Sequence, residues 1–318
     1  MKIVILERDS VGQDVSVDAF EQFGPVTCYD TTSTEAQVIT RIQEAEAVIL
    51  NKAPLTRRAV AAAPQLKFVG ILATGYDNVD LDACRERGIR VANVTDYSTA
   101  MVAQHTITLT LALCQKIIRY DRYVQSGAYA ASGSFSHFTP AFQELDGKTW
   151  GILGMGHIGR RVATIAQSLG CRVITHSLTG HRGGEYPQVD RNTLLAESDV
   201  LSLHCPLSDK SRHWIDTEAL ARMKPTALLI NVARGGVVDS AALAEALRSG
   251  QIAGAGLDVL EHEPIALDDP LAAIHDSDRL LITPHLAWAS VEARRRCVQG
   301  VCENLAAFLR GEASNALC

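Results

Sequence analysis

The stretch TWGILGMGHIGR, residues 149–160, constrains this chain more than any other. It reads as a short apolar strand, a Gly-x-Gly-x-x-Gly turn and the start of a helix. In that setting Gly154 allows a tight turn, Gly156 lets backbone approach a pyrophosphate, and Gly159 lets the helix pack on the strand. The turn predicts a dinucleotide-binding α/β unit. In such a unit a second strand ends, about 20 residues on, in an acid that hydrogen-bonds the NAD ribose. Here the second strand, residues 171–175, runs into His176 and Ser177, and no carboxylate appears until Glu185.

The rest of the chain carries the same α/β rhythm. Apolar runs at 2–6, 47–50, 67–72 and 90–94 read as strands, separated by helical spacing at 34–45, 56–63 and 80–88. Ser, Thr or Asp stands at plausible N-caps, and alternation of this kind implies a parallel sheet with helices on its faces. Residues 98–127 read as one helix about 40 Å long, followed by a Ser/Gly/His/Phe-rich loop at 126–142. A second alternation follows, with strands at 149–153, 171–175, 200–203, 227–232, 253–257 and 280–283. Its helices fall at 157–169, 191–196, 217–222 and 240–249, and a last helix at 290–309 can return to the first domain. Six strands after a glycine turn match a doubly wound fold.

A chain of 318 residues is long enough for one large or two ordinary domains. The formal charge of −6 gives no reason to expect a nucleic-acid partner, and EARRRC at 292–297 reads as a solvated helix face. None of the eight cysteines forms a C-x-x-C pair, and no His/Cys cluster has metal-ligand spacing, so no metal is expected. Cys114 and Cys171 lie in apolar runs, where Cys behaves as a small hydrophobe. MKIVILERDS turns charged too early for a signal peptide. Residues 97–115 are uncharged but carry Gln104, His105 and several hydroxyls, which predicts a buried helix rather than a membrane span. The expected compartment is the cytoplasm.

Ligands of open parallel sheets bind beyond the carboxyl ends of the strands. After the last three strands come NVARGGVVD with Arg234, LDVLEHEP with Asp258 and Glu263, and TPHLAWAS with His285. Hydride addition to a 2-oxo acid needs a cation that holds the carboxylate and polarises the carbonyl, which suits the fork of Arg. It also needs a proton donor that recharges near neutral pH, which suits His, and a nearby carboxylate stabilises the imidazolium. Alone, a His beside Pro284 reads as structural and Arg234 as a surface residue. Their joint placement points to chemistry.

These segments, with ATGYDNVD (73–80), YSTAMVAQHT (97–106), LHCPL (203–207) and GAGLDVLEHEP (254–264), resemble the D-isomer-specific 2-hydroxyacid dehydrogenases over essentially the whole chain. Within that family the resemblance is strongest to the glycerate dehydrogenases. It implies two doubly wound parallel-sheet domains: a flavodoxin-like substrate domain, 1–97 and 290–318, and an inserted Rossmann domain, 98–289, that binds NADP or NAD. It implies Arg234 as substrate clamp, His285 as acid/base and Glu263 as its partner. Backbone amides at Thr74, Gly75 and Tyr76 would hold the substrate carboxylate. Val102 would pack on the nicotinamide and Asp258 would meet its carboxamide. Met155, His157 and Ile158 would complete the phosphate turn, Cys205 and Pro206 would line the adenosine, and Val232 and Ala233 would also face the cofactor. Lys52 reads equally as a cleft residue or a solvent-exposed one.

The implied reaction is hydride transfer between the cofactor and a small 2-oxo acid, hydroxypyruvate to D-glycerate, with glyoxylate or another 2-oxo acid as the alternative. A non-catalytic, cofactor-sensing corepressor is the reading from a different class. A homodimer is implied, with the helix from Ser98 as either its interface or a buried intramolecular helix. Ser177 takes the place of the ribose acid, 18 residues after Gly159. Without that acid the repulsion of a 2′-phosphate is gone, and Thr179, His181 and Arg182 follow closely. The sequence therefore favours acceptance of NADPH, with NADH as the alternative and Arg182 in solvent as the plain reading.

Overall fold

The computed structural model describes residues 1–180, 184–312 and 314–318. The chain divides into two compact units, Met1–Ser98 with Trp288–Cys318, and Thr99–Ala287.

In the first unit, strands β1 (Ile3–Ile5), β2 (Val26–Cys28), β3 (Ala47–Leu50), β4 (Phe68–Ile71) and β5 (Arg90–Ala92) are all parallel. Their order, β2-β1-β3-β4-β5, is that of a flavodoxin-like sheet. Every residue of β3 and β4 is buried, which is why those strands read as continuous apolar runs. The sequence gives no sign of β2. It is an edge strand with Thr27 and Cys28 exposed, so it lacks the apolar run that betrays the others. Helices α1 (Glu35–Ile42), α2 (Arg57–Ala61) and α3 (Leu81–Glu86) start at Thr34, Thr56 and Asp80, each of which accepts a backbone N–H of the first turn.

The second unit opens with α4 (Thr99–Cys114), α5 (Ile117–Gln125) and α6 (Ala128–Ser132). The single helix expected over 98–127 is thus broken, and the expected loop at 126–142 begins with a short helix. The break falls at Lys116, whose backbone is left-handed at φ +55°. There Lys116 Nζ donates to the Asp278 carbonyl (3.0 Å) and Arg119 pairs with the Asp278 carboxylate (2.8 Å), so tertiary bonds replace a continued ladder. Helix α4 is an intramolecular core element. Leu109 and Leu113 crowd the place where Gly256 would carry a Cβ.

The remaining elements alternate: β6 (Thr149–Leu153), α7 (His157–Ser168), β7 (Arg172–His176), α8 (Arg191–Glu197), β8 (Val200–Leu203), α9 (Thr217–Arg222), β9 (Leu228–Asn231), α10 (Ser240–Ser249), β10 (Gly254–Leu257) and β11 (Leu280–Ile282). The six strands are parallel in the order β11-β10-β9-β8-β6-β7, so β6 and β8 flank the topological switch point. Strand β7 runs one residue further than expected because His176 stays in register with Leu153. Beyond β7, Gln188 forms a single parallel bridge with Thr175. Helix α11 (Val291–Leu309), capped by Ser290, belongs to the first unit.

All eight cysteines are free thiols. Burial pushes Cys84, Cys297 and Cys302 up to about 12, and Cys171 and Cys205 to about 11. Cys114 is half-buried, its thiol donating to the Gln143 carbonyl. Among the described residues, no helix is long and apolar enough to cross a membrane and no cluster could hold a metal ion.

Candidate active site

The glycine turn closes the carboxyl end of β6 at the switch point. Gly154 takes φ +96°, and a Cβ there would lie within 3 Å of the His204 and Cys205 backbone. A Cβ at Gly159 would meet the Gly154 carbonyl oxygen at 2.2 Å, whereas at Gly156 it would meet nothing within 4 Å. Two glycines thus permit close packing and the third leaves backbone open to a ligand. Gly156 is also the N-cap of the 12-residue helix α7, with no side-chain cap. Open backbone at an uncapped helix N-terminus fits a pyrophosphate. Met155 is buried, Ile158 is half-buried, and His157 is exposed. After β8, Cys205 is buried and Pro206 exposed.

Three further loops leave adjacent strands β9, β10 and β11 on the same side. After β9, the fully buried Asn231 shapes the turn: its Nδ2 donates to the Arg234 carbonyl (2.9 Å), and its Oδ1 accepts from Ala233 N (3.1 Å). Val232 is buried, Ala233 and Arg234 half-buried. One Arg234 amino group donates to the Ala233 carbonyl (2.8 Å). Among the described residues no carboxylate lies within ion-pair distance of this guanidinium. A half-buried cation without an internal counter-charge is suited to an external anion.

His285 and Glu263 are brought together. His285 Nδ1 meets Glu263 Oε2 at 2.6 Å, with the two side chains 30% and 35% exposed. The other oxygen of Glu263 accepts from Leu260 N (2.9 Å), which fixes the carboxylate. His285 holds a left-handed backbone, φ +52°, unusual for a residue with a side chain. Its conformation is set from below by Asp258. Asp258 Oδ1 accepts from the Thr283 hydroxyl (2.6 Å) and Leu286 N (2.9 Å), and Oδ2 accepts from Ala287 N (2.8 Å). The Asp258 side chain is 1% exposed, so its oxygens are engaged in holding the His285 loop. His105 of α4 completes the cluster, its Nε2 at 2.9 Å from the Thr283 hydroxyl. Burial pushes His105 below its ordinary value against the opposing pull of Asp258, which leaves a neutral donor. Val102, one turn earlier on α4, is 6% exposed.

At the end of β7, His176 Nδ1 lies 2.8 Å from the Val189 carbonyl and its own carbonyl accepts from Gly154 N. Ser177 is half-buried, and its hydroxyl is 3.4 Å from that of Thr179. His181 and Arg182 lie outside the described residues. In the first unit, Glu7 holds the loop that carries Lys52: its carboxylate accepts from the backbone of Asn51, Lys52 and Ala53 at 2.8 to 3.0 Å. The Lys52 side chain itself is exposed. Thr74 and Tyr76 are exposed and Gly75 half-buried, with the Thr74 hydroxyl donating to the Val94 carbonyl (2.9 Å).

Sequence reasoning missed His105, Thr283, His213 and Glu261. His213 Nε2 meets Glu261 Oε1 at 2.6 Å, two residues before Glu263. Burial raises Glu261, but the His213 bond and the Ser240 backbone outweigh it and hold the carboxyl below its ordinary value. His204 is a further buried imidazole. Trp150 Nε1 donates to the Ser202 hydroxyl, which lies 3.0 Å from His204 Nε2, and burial pushes the ring down to about 3. A His in LHCPL next to the turn was the available signal.

A Gly-x-Gly-x-x-Gly turn at the switch point, with Arg234 and a His–Glu pair on the same carboxyl edge, is the arrangement of a doubly wound, dinucleotide-dependent dehydrogenase. Residues 107–287 match the family model described as D-isomer specific 2-hydroxyacid dehydrogenase, NAD binding domain. The chain belongs to the D-isomer-specific 2-hydroxyacid dehydrogenase family and is an NAD(P)-dependent oxidoreductase. It is 36% identical over 323 residues to a hydroxypyruvate reductase of Blautia hydrogenotrophica, covering 100% of this chain and 99% of that one. It is likewise 36% identical to a glycerate dehydrogenase of Methylorubrum extorquens, covering 99% and 98%. Among solved structures, an acyclic imino acid reductase in complex with NADPH and D-Arg superposes with a TM-score of 0.88 at 29% identity, covering 100% of both chains.

Proposed function

We propose that the enzyme reduces hydroxypyruvate to D-glycerate, with Arg234, His285 and Glu263 as its catalytic residues. The observation that carries this reading is the Arg234 guanidinium, half-buried and with no carboxylate partner among the described residues, on the strand edge that also presents the His285–Glu263 pair. Arg234 grips the substrate carboxylate and polarises the 2-oxo group, and its charge stabilises the alkoxide that develops. Glu263 faces Nδ1 of His285, so the ring delivers its proton through Nε2 to the oxygen of the former carbonyl. Residues 154–159 would hold a nicotinamide dinucleotide, whose chemistry when bound would be hydride transfer. Thr99–Ala287 acts as the dinucleotide domain and the other unit as the substrate domain. For Lys52, Thr74, Gly75 and Tyr76 a part in substrate binding rests on the resemblance alone, as do cofactor contacts by Val102, Cys205, Pro206, Val232, Ala233 and Asp258. Ser177 in place of an acid supports use of NADPH, and the solved NADPH complex of a relative is consistent with it.

The same proposal includes a cytoplasmic homodimer. Ile117, Val124, Phe135, Phe138 and Phe142 are more than half exposed and cluster in one stretch of chain, which suits cover by a second copy. Initial rates for hydroxypyruvate, glyoxylate and pyruvate, each with NADH and NADPH, test the reading. The highest kcat/KM is expected for hydroxypyruvate with NADPH. Tight dinucleotide binding without turnover of any of the three would overturn it.

A further inference from the structure

The search for chemistry outside the proposed triad leads to a second histidine–carboxylate pair at the same carboxyl edge. His213 lies in the turn before α9, and Glu261 lies in the loop after β10 that also carries Glu263. The pair meets at 2.6 Å, with His213 41% and Glu261 23% exposed at the side chain. The second Glu261 oxygen accepts from Ser240 N, the first residue of α10 (3.3 Å). The His213 backbone donates to the Gly236 carbonyl (2.8 Å) and takes a left-handed φ of +48°. That conformation is unfavourable for a residue with a side chain, so the surrounding bonds must hold it.

The pair brackets the Arg234 turn. A Cβ on Gly235 would sit 1.9 Å from the Leu260 carbonyl group and 2.4 Å from Glu261 N, so the residue after Arg234 is pressed directly on the Glu261 segment. His213 grips that sandwich from both sides, through Gly236 on one and Glu261 on the other. Glu263, which holds His285, follows two residues later, and its carboxylate folds back on Leu260 N. One histidine therefore ties the segment bearing the cation to the segment bearing the acid/base partner.

We infer that His213 and Glu261 are positioning residues that fix the spacing between Arg234 and the Glu263–His285 pair. The inference rests on the proposed roles of those three. It predicts a larger loss in the chemical step than in cofactor binding, because the bonds of the pair, among the described residues, run to each other, to Gly236 and to Ser240. A displacement of well under 1 Å is enough to slow a positioned reaction about tenfold.

The test uses His213→Asn, which tolerates a left-handed backbone but is too short to reach Glu261. Glu261→Ala, the double variant and His213→Gln complete the set. Each is assayed with the Arg234→Ala and His285→Asn chains as references. His213→Asn and Glu261→Ala are each expected to lower kcat about tenfold with the KM for the dinucleotide changed less than twofold. The double variant should be no slower than the slower single one, since both act through one bond. His213→Gln, which keeps a donor within reach, should recover most of kcat. Parental kcat in both single variants, or additive losses in the double, overturns the inference. Parental activity of the Arg234→Ala and His285→Asn references overturns instead the reading on which it rests.

Discussion

The three loops after β9, β10 and β11 and the segment after β7 leave one sheet on the same side, at its two ends, and they are built in opposite ways. The His285 loop is bound by a carboxylate that accepts from a hydroxyl and two backbone amides, and that is almost wholly buried. Among the described residues, the Ser177 hydroxyl has one long contact, to that of Thr179. Bond making needs reacting groups fixed within fractions of an ångström. Choosing between two cofactors that differ by a phosphate needs only a charge, or its absence, near the ribose. The fold spends its buried hydrogen bonds on the first task and leaves the second to residues that can change without disturbing the core.

Four comparisons would break or sharpen this contrast. The largest effect is expected for Arg234→Ala, a loss of about 10³ or more in kcat/KM for hydroxypyruvate reduction. Lysine should rescue poorly because it lacks the fork. Near-parental efficiency in the folded alanine chain would remove Arg234 from the chemistry. Next, Asp258→Ala strands one hydroxyl and two amides without their acceptor. A stability loss of about 3 kcal/mol, read from the urea midpoint, is expected, against less than about 0.5 kcal/mol for Ser177→Ala. Similar losses in the two chains would show that the two segments are not energetically distinct.

Glu263→Gln should lower kcat about tenfold at neutral pH. The carboxylate that holds His285 Nδ1 at 2.6 Å is then gone, so the loss should fall on kcat and leave the KM for the dinucleotide within twofold. Parental kcat would separate the two residues functionally. The smallest effect is expected at Ser177. Ser177→Asp restores a charge that repels a 2′-phosphate, and should turn the NADPH-to-NADH ratio of kcat/KM about fivefold toward NADH while leaving kcat with NADH within twofold. An unchanged ratio would mean that cofactor choice is made elsewhere.

Most of this architecture was legible in the sequence because its strands are buried on both faces and stand out as apolar runs. The glycine turn, the helix caps at Thr34, Thr56 and Asp80, and the loops bearing Arg234, Glu263 and His285 follow from local pattern. What failed was non-local. The edge strand at Val26 has no apolar signature, and the helix break at Lys116 depends on Asp278, more than 150 residues away. That the Asp258 carboxylate, expected from resemblance at the cofactor, also holds Thr283, Leu286 and Ala287 was not legible, because those partners lie 25 or more residues away. His213 was invisible because its meaning lies in Glu261, which sequence spacing does not bring near it.

The buried thiols have a consequence for how the enzyme ages. A thiol attacks peroxides and electrophiles only as thiolate. With Cys205 pushed up to about 11, only about one molecule in 10⁴ carries that thiolate at pH 7, although the residue lies beside the glycine turn. Cys84, Cys297 and Cys302, at about 12, are rarer nucleophiles still. An oxidoreductase of this design works beside redox-active partners while keeping its own sulfur out of the reaction. Cys28 is exposed, yet desolvation raises its thiol as well, so contact with solvent does not by itself make it a nucleophile.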